Sequence, residues 1–258
     1  MLPAMIAALA IFVSSAASAQ ALDRILKEKK IRITAEVTSP PFGFMDQSNQ
    51  PDGLEIAAAR QLAKDLGVEL ELVQVTGPTR IPALLSGRAD VAISSLSITL
   101  DRAKTIAFAN PHGALTVVIA APAGTKIATA ADLTGKRVGL TRGTLEEATV
   151  PKQAPKGTDL VYFDDIAATI QALLSGQIDA AGMSGFAAKS VSDRNPDKHI
   201  EPKFTVTTAY YAAAVKPGDW DLLHWINTWV FQHKQDGFLA QIYTKYTGLT
   251  LPELPVGE

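Results

Sequence analysis

Arg102 is the residue whose type and setting best suit binding of a small anion. It closes the stretch SSLSITLDR (94–102), where a predicted strand ends and a turn leads into a helix. A guanidinium group offers a planar fork of donors that holds a carboxylate through two hydrogen bonds. We therefore predict that Arg102 binds a carboxylate; a surface or helix-capping ion pair is the alternative.

Other donors of the same kind lie near helix starts. Ser95 and Ser97 share the turn with Arg102 and can add hydroxyl and backbone carbonyl contacts, although either could instead cap the following helix. Thr144 and the amides of residues 143 to 145, including Leu145, open another predicted helix, and helix N-terminal amides suit an anion. These groups are expected to hold the carboxylate from a second side.

The composition excludes several kinds of chemistry. The 258 residues include no cysteine, which rules out disulfides, thiol catalysis and cysteine metal ligands. The four histidines are scattered, with no pair at helical spacing, so we expect no metal site and no cofactor. A formal net charge of -2 gives no basic surface for nucleic acid.

The first nineteen residues are typical of a secretory signal. They carry no charge, and an apolar stretch from Met5 to Val13 leads into Ala17-Ser18-Ala19. We predict cleavage near Ala19 and a periplasmic mature chain starting at Gln20. Because no Lys or Arg precedes the apolar stretch, an upstream start or an uncleaved anchor remains the alternative.

Predicted strands and helices alternate twice along the chain. The first series comprises a strand at 31–37, helix at 54–66 closed by Gly67, strand at 68–75, helix at 82–86, buried strand at 89–94 and helix from 99 to 104. The second comprises strands at 136–140, 160–163 and 179–183 with helices at 143–151 and 166–174, and the chain is predicted helical from Asp219 to its end. Such alternation predicts an α/β fold with mainly parallel sheets flanked by helices, and ligands at the carboxyl ends of strands.

Several short segments, in this order, resemble the family 3 periplasmic solute-binding proteins, the polar amino-acid binders of ABC importers. They are PPFGF (40–44), DGLEIA (52–57), RIPALLSGRAD (80–90), SSLSITLDR (94–102), FANPH (108–112), DLTGKRVG (132–139), RGT (142–144), ALLSGQIDAA (172–181) and the closing helix from 236 to 246. Each segment is weak alone. Their order and spacing over nearly the whole mature chain carry the resemblance.

The resemblance implies a two-lobed periplasmic-binding-protein fold of type II. Lobe 1 is expected to comprise residues 20–112 and 209–258, lobe 2 residues 113–208, with crossings near 111–116 and 207–211. The lobes would close on one amino acid or related carboxylate ligand, and a membrane ABC permease would receive it from a monomeric protein. The family's arginine for the ligand α-carboxylate corresponds to Arg102, and Phe42 of the first segment is expected to line the site.

Some positions depart from the family pattern. Ser184 stands where relatives commonly have an aspartate for the ligand's α-ammonium, so either another acid substitutes or the ligand lacks a free α-amine. Ser39 and Gly77 stand where many relatives place a ring or bulky apolar group. Glu36 matches an acid of cationic amino-acid binders, whereas Arg80 matches an arginine of aspartate and glutamate binders, and the sequence does not choose between them.

Two other functions compete with transport. Cyclohexadienyl dehydratases share this fold, and an enzyme of that kind needs a general acid or base, for which Glu36, His112, Glu146 and Glu147 are the candidates. The chain could also serve as the extracellular sensor module of a separate receptor. We predict a binding protein rather than an enzyme.

Overall fold

The computed structural model describes residues 21–255, which form two lobes joined by two long strands. The predicted secretory signal lies outside the described residues. We call the part around the first sheet lobe 1 and the part around the five-stranded sheet lobe 2.

The helices are α1 Ala21–Glu28, α2 Leu54–Leu66, α3 Arg80–Leu85, α4 Leu100–Ala103, α5 Leu145–Gln153, α6 Ile166–Leu174, α7 Gly185–Arg194, α8 Trp220–Gln235 and α9 Phe238–Thr247, with short 3-10 helices at Ala130–Leu133 and Pro196–Lys198. The strands are β1 Lys30–Ala35, β2 Thr38–Ser39, β3 Gly43–Met45, β4 Pro51–Asp52, β5 Glu69–Gln74, β6 Ala107–Pro122, β7 Arg137–Thr141, β8 Asp159–Phe163, β9 Ala180–Ser184 and β10 Ile200–Val215. No helix within residues 21–255 is long and apolar enough to cross a membrane.

Lobe 1 is built on the parallel pair β1 and β5, against which α1, α2 and α8 pack through Ile25, Leu62 and Ile226. The strand predicted at 89–94 is only partly confirmed. Val91 makes one parallel bridge to Ile33, and Ala92 makes one antiparallel bridge to Ala214. The segment thus runs between two strands and pairs with each at a single point, so it forms no continuous ladder.

Lobe 2 contains a sheet of order β10-β6-β9-β7-β8. β7 pairs parallel with β8 and β9, as the alternating pattern predicts, whereas β6 pairs antiparallel with β9 and β10. Apolar side chains cover both faces: Met183 and Leu173 pack on one, Leu140 and Ile119 on the other. The carboxyl ends of β7 and β9 therefore meet at one edge of the sheet, which faces lobe 1.

β6 and β10 form the connection between the lobes. They are antiparallel, each has 16 residues, and Leu115 pairs with Ala209 where the chain crosses. The crossings predicted near 111–116 and 207–211 fall within these strands, but the sequence did not indicate that each continues deep into both lobes. The ladder shifts register between Tyr211 and Ala212 and again before Ala214.

The predicted helix at 54–66 is confirmed as α2, and Gly67 ends it in the left-handed conformation with φ 67°. The prediction of helix from Asp219 to the end is wrong beyond Thr247, because Gly248 with φ 72° terminates α9 and residues 248–255 are neither helix nor strand. Aromatic residues of α8 and α9 contribute to the lobe 1 core: Trp229 is buried, and Trp225, Phe238 and Tyr246 pack against it.

Candidate functional site

Most of the predicted site residues surround one cavity between the lobes. About 560 Å³ of space lies between its walls, counting the part open to solvent. Eight of the nine predicted residues line it, five from lobe 1 and three from lobe 2: Glu36, Phe42, Arg80, Ser95, Ser97, Thr144, Leu145 and Ser184. Ser39 also lines the cavity, whereas Gly77 does not.

Arg80 reaches from lobe 1 to lobe 2. Its Nη1 donates to the carbonyl oxygen of Ser94 at 2.6 Å, and its Nη2 donates to that of Gly143 at 2.9 Å. The guanidinium also lies 3.6 Å from Oε2 of Glu36, and both side chains are only 4% exposed. Arg80 is thus a buried residue of the cavity wall rather than a solvated arginine at a helix start.

Glu36 faces Arg80 with only part of its hydrogen-bonding capacity used. Its Oε1 and the Nε of Arg80 are buried without a hydrogen-bond partner in the part of the chain that the structure describes. Burial raises the pKa of the Glu36 carboxyl, the charge of Arg80 opposes this rise, and the charge of Glu146 adds to it. Burial thus favours the protonated form of this acid in the cavity wall.

Arg102 is the one predicted residue that does not line the cavity. It borders an adjoining depression together with Gly77, Gly143 and Glu147. Its Nη1 donates to the carbonyl oxygen of Ser97 and its Nη2 to that of Gly143, each at 2.8 Å. Burial, followed by the charge of Arg80, lowers the pKa of Arg102 to about 10, so the guanidinium stays protonated at neutral pH. Two lobe 1 arginines therefore converge on one lobe 2 carbonyl.

The turn from Ser94 to Thr99 presents Ser95 and Ser97 to the cavity. Ser95 has a left-handed φ of 47°, and its amide donates to the Glu55 carboxylate at 3.2 Å. Neither serine caps α4: Thr99 is the N-cap and accepts from the Arg102 amide at 3.2 Å. The capping alternative for these serines is therefore wrong.

The start of α5 is organised differently from the expectation. Thr144 is the N-cap, and its hydroxyl accepts from the Glu147 amide at 3.3 Å and donates to the Thr141 carbonyl at 2.7 Å. The amide of Gly143, one of those expected to bind an anion, instead donates to the Glu147 carboxylate at 2.7 Å. The residue before Glu147 is also an acid, Glu146, which is buried and lines the cavity.

Ser184 closes β9 and begins α7. Its side-chain oxygen accepts from the amide of Ala187 at 3.1 Å and is buried. A hydroxyl that accepts in this way still has its own hydrogen to donate. The side-chain oxygen thus serves as the N-cap of α7.

Sequence reasoning overlooked several cavity residues as ligand contacts. Glu146 was predicted only as a candidate acid or base, because its place in the first turn of a helix gave no sign that it would line a cavity. Thr141 and Thr169, whose hydroxyls lie 2.7 Å apart, also line the cavity. Of the other acid–base candidates, His112 pairs with Glu55 away from the cavity wall.

The sequence is similar to known proteins along most of its length. Residues 31–249 match the model of the bacterial extracellular solute-binding proteins, family 3. The L-cystine-binding protein TcyJ of Escherichia coli K12 is 31% identical over 239 residues, which is 92% of this chain and 89% of that protein.

Solved structures are similar along nearly the whole chain. A mutant of ArgBP from T. maritima superposes with a TM-score of 0.83 at 29% identity, covering 89% of this chain and 100% of the other. The ancestral amino acid-binding protein AncCDT-1, described as a precursor of cyclohexadienyl dehydratase, gives 0.79 at 31% identity, covering 88% and 99%. With a family match spanning most of its length, this chain belongs to the bacterial extracellular solute-binding proteins, family 3.

Proposed function

We propose that this protein binds an amino acid or a related carboxylate between its lobes and delivers it to the membrane permease of an ABC importer. The observation that carries the proposal is the convergence of Arg80 and Arg102 on the Gly143 carbonyl, beside a cavity lined by both lobes. Guanidinium groups at this junction suit a carboxylate that bridges the two lobes. Similarity to proteins named for cystine and amino-acid binding supports the same ligand class.

The ligand carboxylate is proposed to bind Arg102, with Ser95 and Ser97 contributing from lobe 1 and Thr144 and Leu145 from lobe 2. In this arrangement a ligand oxygen takes the place of the Gly143 carbonyl on the Arg102 Nη2. Phe42 would pack against the apolar part of the ligand. Lobe boundaries after residues 112 and 208, a monomeric protein, and export to the periplasm with cleavage near Ala19 complete the proposal.

A thermal-shift screen tests the ligand class. The chain from Gln20 onward is heated with amino acids, opines, betaines, dicarboxylates or prephenate, since a ligand that binds only the native state raises the melting temperature. At least one carboxylate is expected to raise it. If no compound of these classes does so, binding of such a ligand by this protein is refuted.

Arg102→Ala tests the carboxylate assignment, with Arg88→Ala, an exposed arginine, as the matched control. We expect Arg102→Ala to abolish binding of the compound found in the screen, while Arg88→Ala leaves affinity unchanged. Wild-type affinity in a folded Arg102→Ala protein would remove Arg102 from the site.

We propose binding rather than catalysis. Glu147 is engaged by the Gly143 amide and His112 by Glu55, which leaves only Glu36 and Glu146 at the cavity as acid or base. Incubation with prephenate and with arogenate is expected to give no product. Enzyme-dependent turnover of either compound would establish the catalytic alternative.

A further inference from the structure

Arg80 makes one hydrogen bond to each lobe, and groups of lobe 1 set the direction of its side chain. It is the first residue of α3, its Nη1 donates to the Ser94 carbonyl at 2.6 Å, and Oε2 of Glu36 lies 3.6 Å from the same nitrogen. A planar guanidinium held at one nitrogen can point the other in only a narrow range of directions. Nη2 thus points at lobe 2, where it donates to the Gly143 carbonyl at 2.9 Å.

The accepting carbonyl is fixed in the same way by lobe 2. Gly143 has a left-handed φ of 72°, and its amide donates to the Glu147 carboxylate at 2.7 Å. The preceding amide, that of Arg142, donates to the Phe163 carbonyl at 2.8 Å. Because donor and acceptor are each held by their own lobe, the bond between Arg80 and Gly143 can form only when the two lobes meet.

Arg102 shares this acceptor but differs from Arg80 in exposure. A carbonyl oxygen has two lone pairs, so that of Gly143 can accept from both arginines. The Arg80 side chain is only 4% exposed, whereas Arg102 is partly exposed and borders the adjoining depression. When a ligand oxygen replaces the carbonyl on Arg102, Arg80 still holds it. The two arginines are therefore suited to different tasks.

We infer that Arg80 is a positioning residue that holds lobe 2 against lobe 1 through the Gly143 carbonyl, rather than a binder of a second ligand carboxylate. It therefore slows the release of every ligand by a similar factor and does not favour acidic amino acids. The match of Arg80 to an arginine of aspartate and glutamate binders then extends to its position but not to its role. This inference rests on the proposed function, since closure traps the same ligand.

Release rates of several amino acids provide the test. Stopped-flow dissociation is measured for L-cystine, L-arginine, L-histidine, L-glutamine, L-glutamate and any other compound that raises the melting temperature in the thermal-shift screen. The wild-type protein is compared with Arg80→Met, whose side chain has a similar length but no donor. Because a hydrogen bond from a charged donor is lost, each compound that binds should be released about tenfold faster or more, by a similar factor for all. Small-angle scattering with each saturating compound should show a larger radius of gyration for Arg80→Met than for wild type.

Two further variants separate the bridge between the lobes from the positive charge alone. Arg80→Lys keeps the charge, but one ammonium group cannot hold the carbonyls of both lobes in the geometry of a guanidinium fork. It should therefore release ligand nearly as fast as Arg80→Met. Arg88→Met, at an exposed arginine of lobe 1, should release ligand at the wild-type rate. The melting temperature of each variant without ligand shows whether it has folded.

A double-variant cycle tests whether Arg80 acts through Gly143. Glu147→Ala frees the Gly143 amide, so it should itself speed ligand release. If both residues support one contact, adding Arg80→Met to Glu147→Ala should speed release by a clearly smaller factor than Arg80→Met does alone. Two unrelated structural effects would instead multiply.

The outcomes separate this inference from the proposed function. The inference is overturned, while carboxylate binding stands, if Arg80→Met releases ligand at the wild-type rate or if Arg80→Lys restores that rate. It is also overturned if release of L-glutamate is accelerated while that of uncharged amino acids is not, or if the rates in the cycle multiply. If the wild-type protein binds none of the five amino acids and the thermal-shift screen is also empty, the proposed function fails and the inference fails with it.

Discussion

Nε2 of His112 lies 3.2 and 3.3 Å from the two carboxylate oxygens of Glu55, and both side chains are only 3% exposed. His112 belongs to the crossing strand β6, and Glu55 lies in the first turn of α2. The same carboxylate accepts the amide of Ser95, which lines the cavity. Glu55 therefore connects the crossing strand to the wall of the binding cavity.

Replacing Glu55 by alanine is expected to destabilise the protein and weaken binding. The change leaves His112 and the Ser95 amide buried without their acceptor, which costs about 2–3 kcal/mol for groups of this kind. Urea denaturation measures the stability, and titration with the screened ligand measures affinity. Glu71→Ala, at an exposed acid, should change neither beyond experimental error. Equal stability of the two variants would contradict the connecting role of Glu55.

Gly77 and Gly143 meet where the lobes touch, and no side chain fits between them. A Cβ on Gly77 would lie 2.4 Å from the Arg142 carbonyl oxygen. Gly77→Ala should therefore block closure, lowering ligand affinity about tenfold or more with little effect on the folding of either lobe. Small-angle scattering with ligand should show a larger radius of gyration than for wild type.

Gly124→Ala is the matched control for this closure experiment, because a Cβ there meets nothing within 4 Å. It should close and bind normally. Normal affinity in Gly77→Ala would mean that the lobes do not need this close approach.

Phe186 of lobe 2 packs between two aromatic rings of lobe 1. Its ring centroid lies 5.6 Å from that of Phe42 and 5.8 Å from that of Tyr243, both edge to face. Such contacts contribute about 0.5–1.5 kcal/mol each beyond buried area. Because these two ring contacts join the lobes, we expect Phe186→Ala to weaken ligand binding about tenfold, mainly through faster ligand release. Stopped-flow kinetics measures this, and Phe231→Ala, an exposed ring on α8, should release ligand at the wild-type rate.

Glu36→Gln should alter the dependence of stability on pH. Burial raises the pKa of the Glu36 carboxyl, so the folded chain holds this proton more tightly than the unfolded chain. The stability that protonated Glu36 gives the wild-type protein is therefore present at acidic pH. It is lost as pH rises through the pKa that Glu36 has in the folded chain. The melting temperature of Glu36→Gln minus that of wild type should therefore increase from about pH 4 to about pH 7. A difference that is constant, or that grows toward acid, contradicts this.

The cavity residues were predictable because short motifs fix them locally. Ser95 and Ser97 lie on one turn, and Thr144 begins a helix after a strand, so fold and motif together place them at facing sheet edges. The partners of Arg102 were not predictable. Its Nη2 bonds a backbone carbonyl of the other lobe, and that contact depends on how the lobes meet rather than on any residue pattern.

The long crossing strands escaped prediction for a related reason. Pro111, His112 and Gly113 interrupt the hydrophobic pattern of β6, and Pro202 interrupts that of β10, where the ladder shifts register. Pairing between the two strands, rather than their own sequences, keeps them extended. Glu146 was not predicted to line the cavity, because acids in the first turn of a helix usually face solvent.

The pairing of Leu115 with Ala209 means that the chain leaves lobe 1 and returns to it at neighbouring points of one ladder. A segment whose two ends are adjacent can be exchanged for its counterpart from a relative without lengthening any connection. The acid at 146 and the serine at 184 travel with that segment, whereas Glu36 and Arg80 stay behind. Recombination at two positions could therefore exchange the lobe 2 side of the cavity wall independently of the lobe 1 side.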